Sequence, residues 1–359
     1  MSPTTTPPSR TKRHSRADLT AFAEQLLLKS GLDADKARAV ADILVEGDLM
    51  GHTTHGLAQL PAYLAEIEKG GMRKTGTPKV LSDHPAAVCW DGQRLPGPWL
   101  VLQAMELAAT RARTQGVCAV SIRRSHHIAS LASFHERATR QGLMMILTCS
   151  DFNSASVAPF GGLDPVFTPN PISVGIPTSR LPVVTDISCS ATTNGLTNRL
   201  HAEGRRLPAP WVLDGHGQAT DDPGALFREP KGTILPTGGL DSGHKGYGMA
   251  WMVEALTAGL AGLGRADPKE GWGATVFLQI IDPAAFNGLP AFTRQTDTLA
   301  DLCRSSRPAR ASQPVRTPGE RGLRLKAEQI DQGLELYPSI LPALEPWATK
   351  LGVALPVTV

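Results

Sequence analysis

Gly51-His52-Thr53-Thr54-His55-Gly56 places two imidazoles and two hydroxyls in six residues at the end of an amphipathic helical run. An imidazole takes up or releases a proton near neutral pH, which a redox reaction at a carbonyl or imine carbon requires. His55, set between a hydroxyl and a glycine, is the first candidate for that work. Asp186 is the second, because it closes the apolar run Pro182-Val183-Val184-Thr185, where a carboxylate is costly to bury unless it is paired. Pairing with a histidine would fix the ring's tautomer and raise its pKa, the orienting role of an aspartate in a catalytic triad. Capping the helical segment that begins at Ala191 would occupy the carboxylate equally well. His126-His127 directly follows an apolar strand, at the end where α/β proteins gather ligands. Gly238 to Gly248, with Lys245, is a glycine-rich helix entry able to hold an anion on backbone amides; a plain helix entry with a solvated lysine is the alternative.

Several chemistries are excluded or disfavoured. The chain has no G-x-G-x-x-G turn and no Walker A loop, since Gly246 stands where Ser or Thr should bind magnesium. His52 and His55 lack an H-E-x-x-H frame or a spaced acidic partner, so no metal is expected and metal-dependent hydrolysis is a lesser alternative. Cys89, Cys118, Cys149, Cys189 and Cys303 form no CxxC pair and are expected as buried free thiols in a reducing cytoplasm. A net charge of +3 over 359 residues favours a small anionic ligand over nucleic acid. No apolar run reaches the roughly 20 residues of a bilayer crossing. Residues 1–15, rich in Ser, Thr, Pro and Arg, are expected as a disordered tail.

The positioning elements follow from periodicity. Ser15 and Asp18 open a helix that stops at Gly31, and Asp33 opens a second whose end carries the His55 motif. A third runs from Leu57 to Gly70, with Pro61 in its first turn. Residues 80–91 read as a strand and turn. A helix over 99–115, a strand over 117–122, a helix over 129–140 and a strand over 143–149 describe an α/β unit. Strands over 181–187 and 275–282, helices over 191–203 and 249–263, and a helical tail around the Arg- and Pro-rich 304–321 loop complete the chain.

Taken together the motifs resemble the malate/L-lactate (sulfolactate) dehydrogenase-like family over about Arg16 to Val353. The residues that carry the resemblance are Gly51 to Gly56 with Pro61 and Tyr63, Ser125-His126-His127, Val157 to Gly162, Asn170-Pro171, Asp186 to Ser190, Gly243 to Gly248, and Pro318-Gly319-Glu320. The resemblance implies an α/β fold with a non-Rossmann dinucleotide-binding domain on a mixed sheet, over 121–291. A largely helical substrate and dimerisation domain would be built from 16–120 and 292–359. It implies a homodimer that uses NADPH or NADH on a 2-oxo acid or cyclic imino acid. His55 would donate the proton, oriented by Asp186, and His127 would line the substrate pocket with Thr54 and Gln59, taking the proton-transfer role in some members. Asp186, Ile187, Ser188, Cys189, Ser190, Lys245, Pro318, Gly319 and Glu320 would hold the dinucleotide.

Gln59 stands where the family commonly places an arginine for the substrate carboxylate, and a neutral amide cannot make that bidentate pair. Arg123 and Arg124 are the nearby substitutes in sequence. Ala129 replaces a glycine, and Leu196 replaces a lysine. These departures point to an unusual substrate, with a catalytically weakened ligand-binding or scaffold protein as the alternative.

Overall fold

The computed structural model describes residues 12–358. Most of the expected N-terminal tail lies outside them, but Arg13 and His14 do not belong to a tail. They pair antiparallel with Glu335 and Leu334, and the buried His14 ring lies 2.7 Å from the Val357 carbonyl. This pairing joins the two ends of the chain. Helix α1 (Arg16–Lys29) then starts where Ser15 accepts the Asp18 N–H at 3.0 Å, and α2 (Ala34–Leu49) follows after a glycine in left-handed backbone, Gly31. Helix α3 is Leu60–Glu68.

A mixed sheet of seven strands forms the centre. In chain order they are β1 (Lys79–His84), β2 (Ala87–Asp91), β3 (Val117–Ser125), β4 (Met144–Ser150), β5 (Ile172–Ile176), β6 (Val183–Ile187) and β7 (Ala274–Ile281). They lie in the order β1-β2-β3-β7-β4-β5-β6, and only β2 and β3 run parallel. The single strand expected over 80–91 is a hairpin, turned at Pro85-Ala86 and bulged near Val80. Strand β7 arrives from far along the chain and pairs with both β3 and β4, so its residues Val276, Leu278 and Ile280 are fully buried. A domain boundary at 120/121 would cut through β3.

Helices α4 (Gly97–Gln115) and α5 (Ala132–Thr139) connect β2 to β3 and β3 to β4. The largest apolar core joins α1 to α4, the sheet and α10 (Ile340–Leu351), so both ends of the chain build one core. A second, smaller core gathers Val157, Phe167, Cys189, Leu200, Val212, Ile234 and Val253 around α6 (Asn194–Ala202) and α7 (His244–Glu254). Helix α7 begins inside the glycine-rich segment, five residues earlier than the periodicity suggests, and yields to a π turn at Ala255–Gly259. Helices α8 (Leu289–Ser305) and α9 (Glu320–Gln332) flank the arginine-rich strap. Buried Lys326 of α9 bonds both Glu46 of α2 and Glu136 of α5. Cys118 and Cys189 are buried, but Cys89 and Cys149 are half-buried and Cys303 is exposed.

Candidate active site

The His52 to Gly56 loop is held from four sides. His52 N–H donates to the Gly47 carbonyl at 2.8 Å and His55 N–H to the His52 carbonyl at 2.8 Å, which folds the loop back on α2. Asp48, in the last turn of α2, accepts the Leu57 N–H at 2.6 Å and fixes the exit. A Cβ on Gly56 would lie 2.4 Å from the Asp48 carboxyl, so the glycine is required for this approach. Arg199 of α6 reaches across to donate to Thr53 Oγ1 at 2.8 Å and Thr53 O at 2.7 Å, while its guanidinium stacks on Tyr337. Gln59 closes the fourth side by donating from Nε2 to the Thr54 carbonyl at 2.7 Å.

Inside this frame His55 is half-buried, and its Nδ1 lies 2.8 Å from Thr54 Oγ1. Burial, then the charges of His52 and Arg199, lower its pKa to about 4, so the ring is neutral at pH 7. The His127 ring stacks on it with centroids 6.0 Å apart and planes 29° apart. His127 Nδ1 lies 2.7 Å from the buried Tyr63 hydroxyl and accepts the Ala129 N–H at 3.4 Å. The Ala129 N–H favours the tautomer with Nδ1 unprotonated and the hydrogen on Nε2, and the Tyr63 hydroxyl also reaches the His127 carbonyl at 3.2 Å. Burial followed by the neighbouring His55 and His126 holds His127 well below the ordinary histidine range. Trp272 covers the outer side, 5.1 Å from His127 and 4.9 Å from buried His126. Ala129 adopts φ 62°, a left-handed backbone that alanine enters at a cost a glycine would not incur.

Among the described residues Asp186 makes no hydrogen bond to His55. Its Oδ2 accepts the Ala132 N–H at 2.9 Å, at the first turn of α5, where unsatisfied backbone donors attract a carboxylate. Burial raises its pKa, while His52 and the Ala132 N–H oppose that rise. The cap of α6, which sequence offered to Asp186, is Thr193. The group on His55 Nδ1 is the Thr54 hydroxyl.

Beside the loop lies a groove of about 660 Å³, within the size range of cofactor pockets. Met50, His52, Val174, Asp186, Ile187, Met249, Pro318 and Gly319 are among its walls. Its apolar walls fit a flat, partly apolar ring system, and Arg321 is a lining cation able to meet an anionic group. Of the expected cofactor residues, Asp186, Ile187, Pro318 and Gly319 are brought together there. Ser188, Cys189 and Ser190 instead turn inward: their side chains bond the carbonyls of Ser190, Asn170 and Thr192. Glycine at 246 lets α7 press on that turn, since a Cβ there would meet Cys189 O at 2.6 Å. Lys245 is exposed and does not line the groove. Glu320 is buried and its carboxylate is spent on Thr317, Arg304 and Arg324. Burial alone would raise its pKa, but those hydrogen bonds hold it at about 2. Arg123 and Arg124 do not replace the missing arginine at 59, because both pair with Asp91 and Arg124 also with Glu270. Among the described residues no three His, Cys, Asp or Glu side chains gather to hold a metal.

Residues 14–345 match the family model described as malate/L-lactate dehydrogenase. The chain belongs to the malate/L-lactate dehydrogenase family. It is 31% identical to an L-lactate dehydrogenase of Cupriavidus necator over 93% of this chain and 97% of that one. Among solved structures it is similar to a malate dehydrogenase from Entamoeba histolytica, with TM-score 0.90 and 25% identity over 97% of this chain and 100% of the other. It is also similar to a delta1-piperideine-2-carboxylate reductase from Pseudomonas syringae, with TM-score 0.82 and 28% identity over 94% and 100%. This family member is a nicotinamide-dependent dehydrogenase or reductase.

Three supports of the site were not singled out from sequence. Asp48 looks like one more charge in a helix, yet it is buried, and burial raises its pKa to about 7 against the opposing Leu57 N–H and Arg199. Arg199 sits 146 residues from its partner Thr53, with no local signal to connect them. Trp272 covers His127 from the approach to β7. Replacing Arg199 with alanine releases both bonds to Thr53 and is expected to lower kcat about tenfold with cofactor affinity retained. Steady-state kinetics with a separate cofactor titration checks this; an equal loss of cofactor binding would place Arg199 in the groove instead.

Proposed function

We propose that this protein interconverts a 2-hydroxy acid and 2-oxo acid, or the matching cyclic amino and imino acid, with NAD(P)(H) held in the 660 Å³ groove. The reading is carried by two neutral imidazoles, His55 and His127, stacked 6.0 Å apart with different hydrogen-bond settings, while His52, three residues before His55, lines that groove. The bound nicotinamide would supply or accept the hydride. The mixed sheet and the 318–322 turn would carry the dinucleotide without a glycine fingerprint.

With Nδ1–H directed to Thr54 Oγ1, His55 offers the Nε2 lone pair to a substrate hydroxyl and takes its proton as the carbonyl forms. In the reverse direction the imidazolium returns that proton to the developing alkoxide. A hydroxyl can donate or accept, so Thr54 serves the ring in both tautomers, whereas a carboxylate on Nδ1 would favour the charged ring. His127 contributes a neutral Nε2–H that can bond the substrate oxygen, with the Ala129 N–H favouring that tautomer. Tyr63 and Trp272 pack against the His127 ring and on His126 behind it, which limits the access of water to His127. For an imine the nitrogen must already be protonated when hydride arrives, so His55 would act before that transfer.

A second reading, a ligand-binding protein with weakened turnover, is favoured by Gln59, whose amide braces the loop and leaves no guanidinium there for a substrate carboxylate. A panel of 2-oxo acids and cyclic imino acids with NADH and NADPH separates the two. Turnover of at least one compound is expected, and Gln59→Arg is expected to raise kcat/KM for 2-oxo acids about tenfold. Saturable cofactor binding with no turnover across the panel would establish the second reading.

A further inference from the structure

The end of the groove at Pro318 to Gly322 is strongly basic. Between residues 304 and 324 the chain carries six arginines and one carboxylate, Glu320. That carboxylate is closed to any ligand: it accepts the Thr317 N–H at 3.1 Å, Arg304 Nε at 3.0 Å and Arg324 Nη2 at 2.8 Å, and the Thr317 hydroxyl at 3.0 Å. It pairs with Arg304 and Arg324. Arg307, Arg310, Arg316 and Arg321 remain exposed, with no salt-bridge partner among the described residues. Of these four, Arg321 lines the groove, two residues beyond Gly319.

The two nicotinamide dinucleotides differ by one phosphate on the adenosine ribose. A site for the unphosphorylated form presents a carboxylate to the ribose hydroxyls, and a site for the phosphorylated form presents a guanidinium. Among the described residues the only carboxylate lining this groove is Asp186, which is engaged at α5. Arg321, which also lines the groove, has no salt-bridge partner among the described residues, and the one acid near it in sequence, Glu320, is withdrawn into the protein. A guanidinium gives a phosphate two parallel charge-assisted hydrogen bonds, and Arg307, Arg310 and Arg316 add attraction at longer range.

We propose that Arg321 binds the 2′-phosphate of NADPH and makes this protein selective for the phosphorylated cofactor. The assignment rests on the reading of the groove as the dinucleotide site. The test is direct titration by tryptophan-to-nicotinamide energy transfer, with NADPH and NADH, on the wild-type protein and on Arg321→Ala. The wild type is expected to bind NADPH about tenfold or more tightly than NADH. Arg321→Ala is expected to lose about that factor for NADPH while NADH binding stays within about twofold, which also reports that the variant is folded. Equal weakening of both cofactors would place Arg321 on the shared pyrophosphate and overturn the assignment, as would no change in either or a wild-type preference for NADH. Failure of the wild type to bind either dinucleotide would overturn the groove reading itself.

Discussion

Replacing His55 with alanine is expected to lower kcat by about 10²- to 10⁴-fold, the range for loss of a positioned acid-base group, with cofactor binding unchanged. The pH dependence of the wild type discriminates this role from a packing role. In the free protein His55 titrates at about 4, because burial and then His52 and Arg199 disfavour the imidazolium. Above that value the ring is the neutral base that oxidation needs. On this account kcat/KM for oxidation rises through pH 4 and is level above it. Reduction needs the protonated ring, whose share falls about tenfold for each pH unit above 4, so kcat/KM for reduction declines in that proportion. Thr54→Val removes the Nδ1 partner and is expected to depress both directions. A reductase that retains its rate in folded His55→Ala, or an oxidation profile without that limb, would remove His55 from the chemistry.

The candidate residues of the site are legible in sequence and their supports are not, for a physical reason. Histidines and hydroxyls crowded into Gly51 to Gly56 announce themselves by residue type, and the apolar strands and glycine stops around them fix the local elements. Which group meets which ring depends on backbone donors that only the folded chain exposes. A carboxylate at a strand end needs compensation, which makes His55 a natural partner for Asp186 in sequence; in the fold the compensation comes from the first turn of α5 and from His52. Glu320 carries a family-like motif, yet its carboxylate faces two arginines that are ordinary in sequence. The hairpin at 79–91 is not legible in sequence because Pro85-Ala86 is a weak turn signal and the alternation on both sides is poor. The mixed order of the sheet depends on β7 entering between β3 and β4 from 124 residues past the end of β4, a long-range choice that no window of the chain contains.

Gly97 shows how such long-range choices reach the site, and its substitution carries the second large expected effect. It opens α4 after Pro96 and reads in sequence as part of a Pro-Gly-Pro turn. In the fold its missing side chain admits the His126-His127 backbone: a Cβ would lie 2.3 Å from His126 O and 2.4 Å from His127 O. Both obstacles are carbonyls, so no side-chain rotation relieves them. Either the start of α4 or the segment bearing His127 must move. Moving α4 strains the fully buried Leu100, Val101 and Ala104, while moving the segment displaces His127 from Tyr63 and from His55. Gly97→Ala is therefore expected to cost about 3 kcal/mol of stability, at the upper end for overpacking. It should also lower kcat by about 10²-fold in the folded fraction, since misplacing a reacting group by about 1 Å has that effect. Gly248→Ala is the matched control, because a Cβ there meets nothing within 4 Å. Thermal melting and kinetics on the two variants give the comparison. A folded Gly97→Ala protein with normal kcat would show that the His126-His127 segment tolerates displacement and that His127 does not act in the reaction.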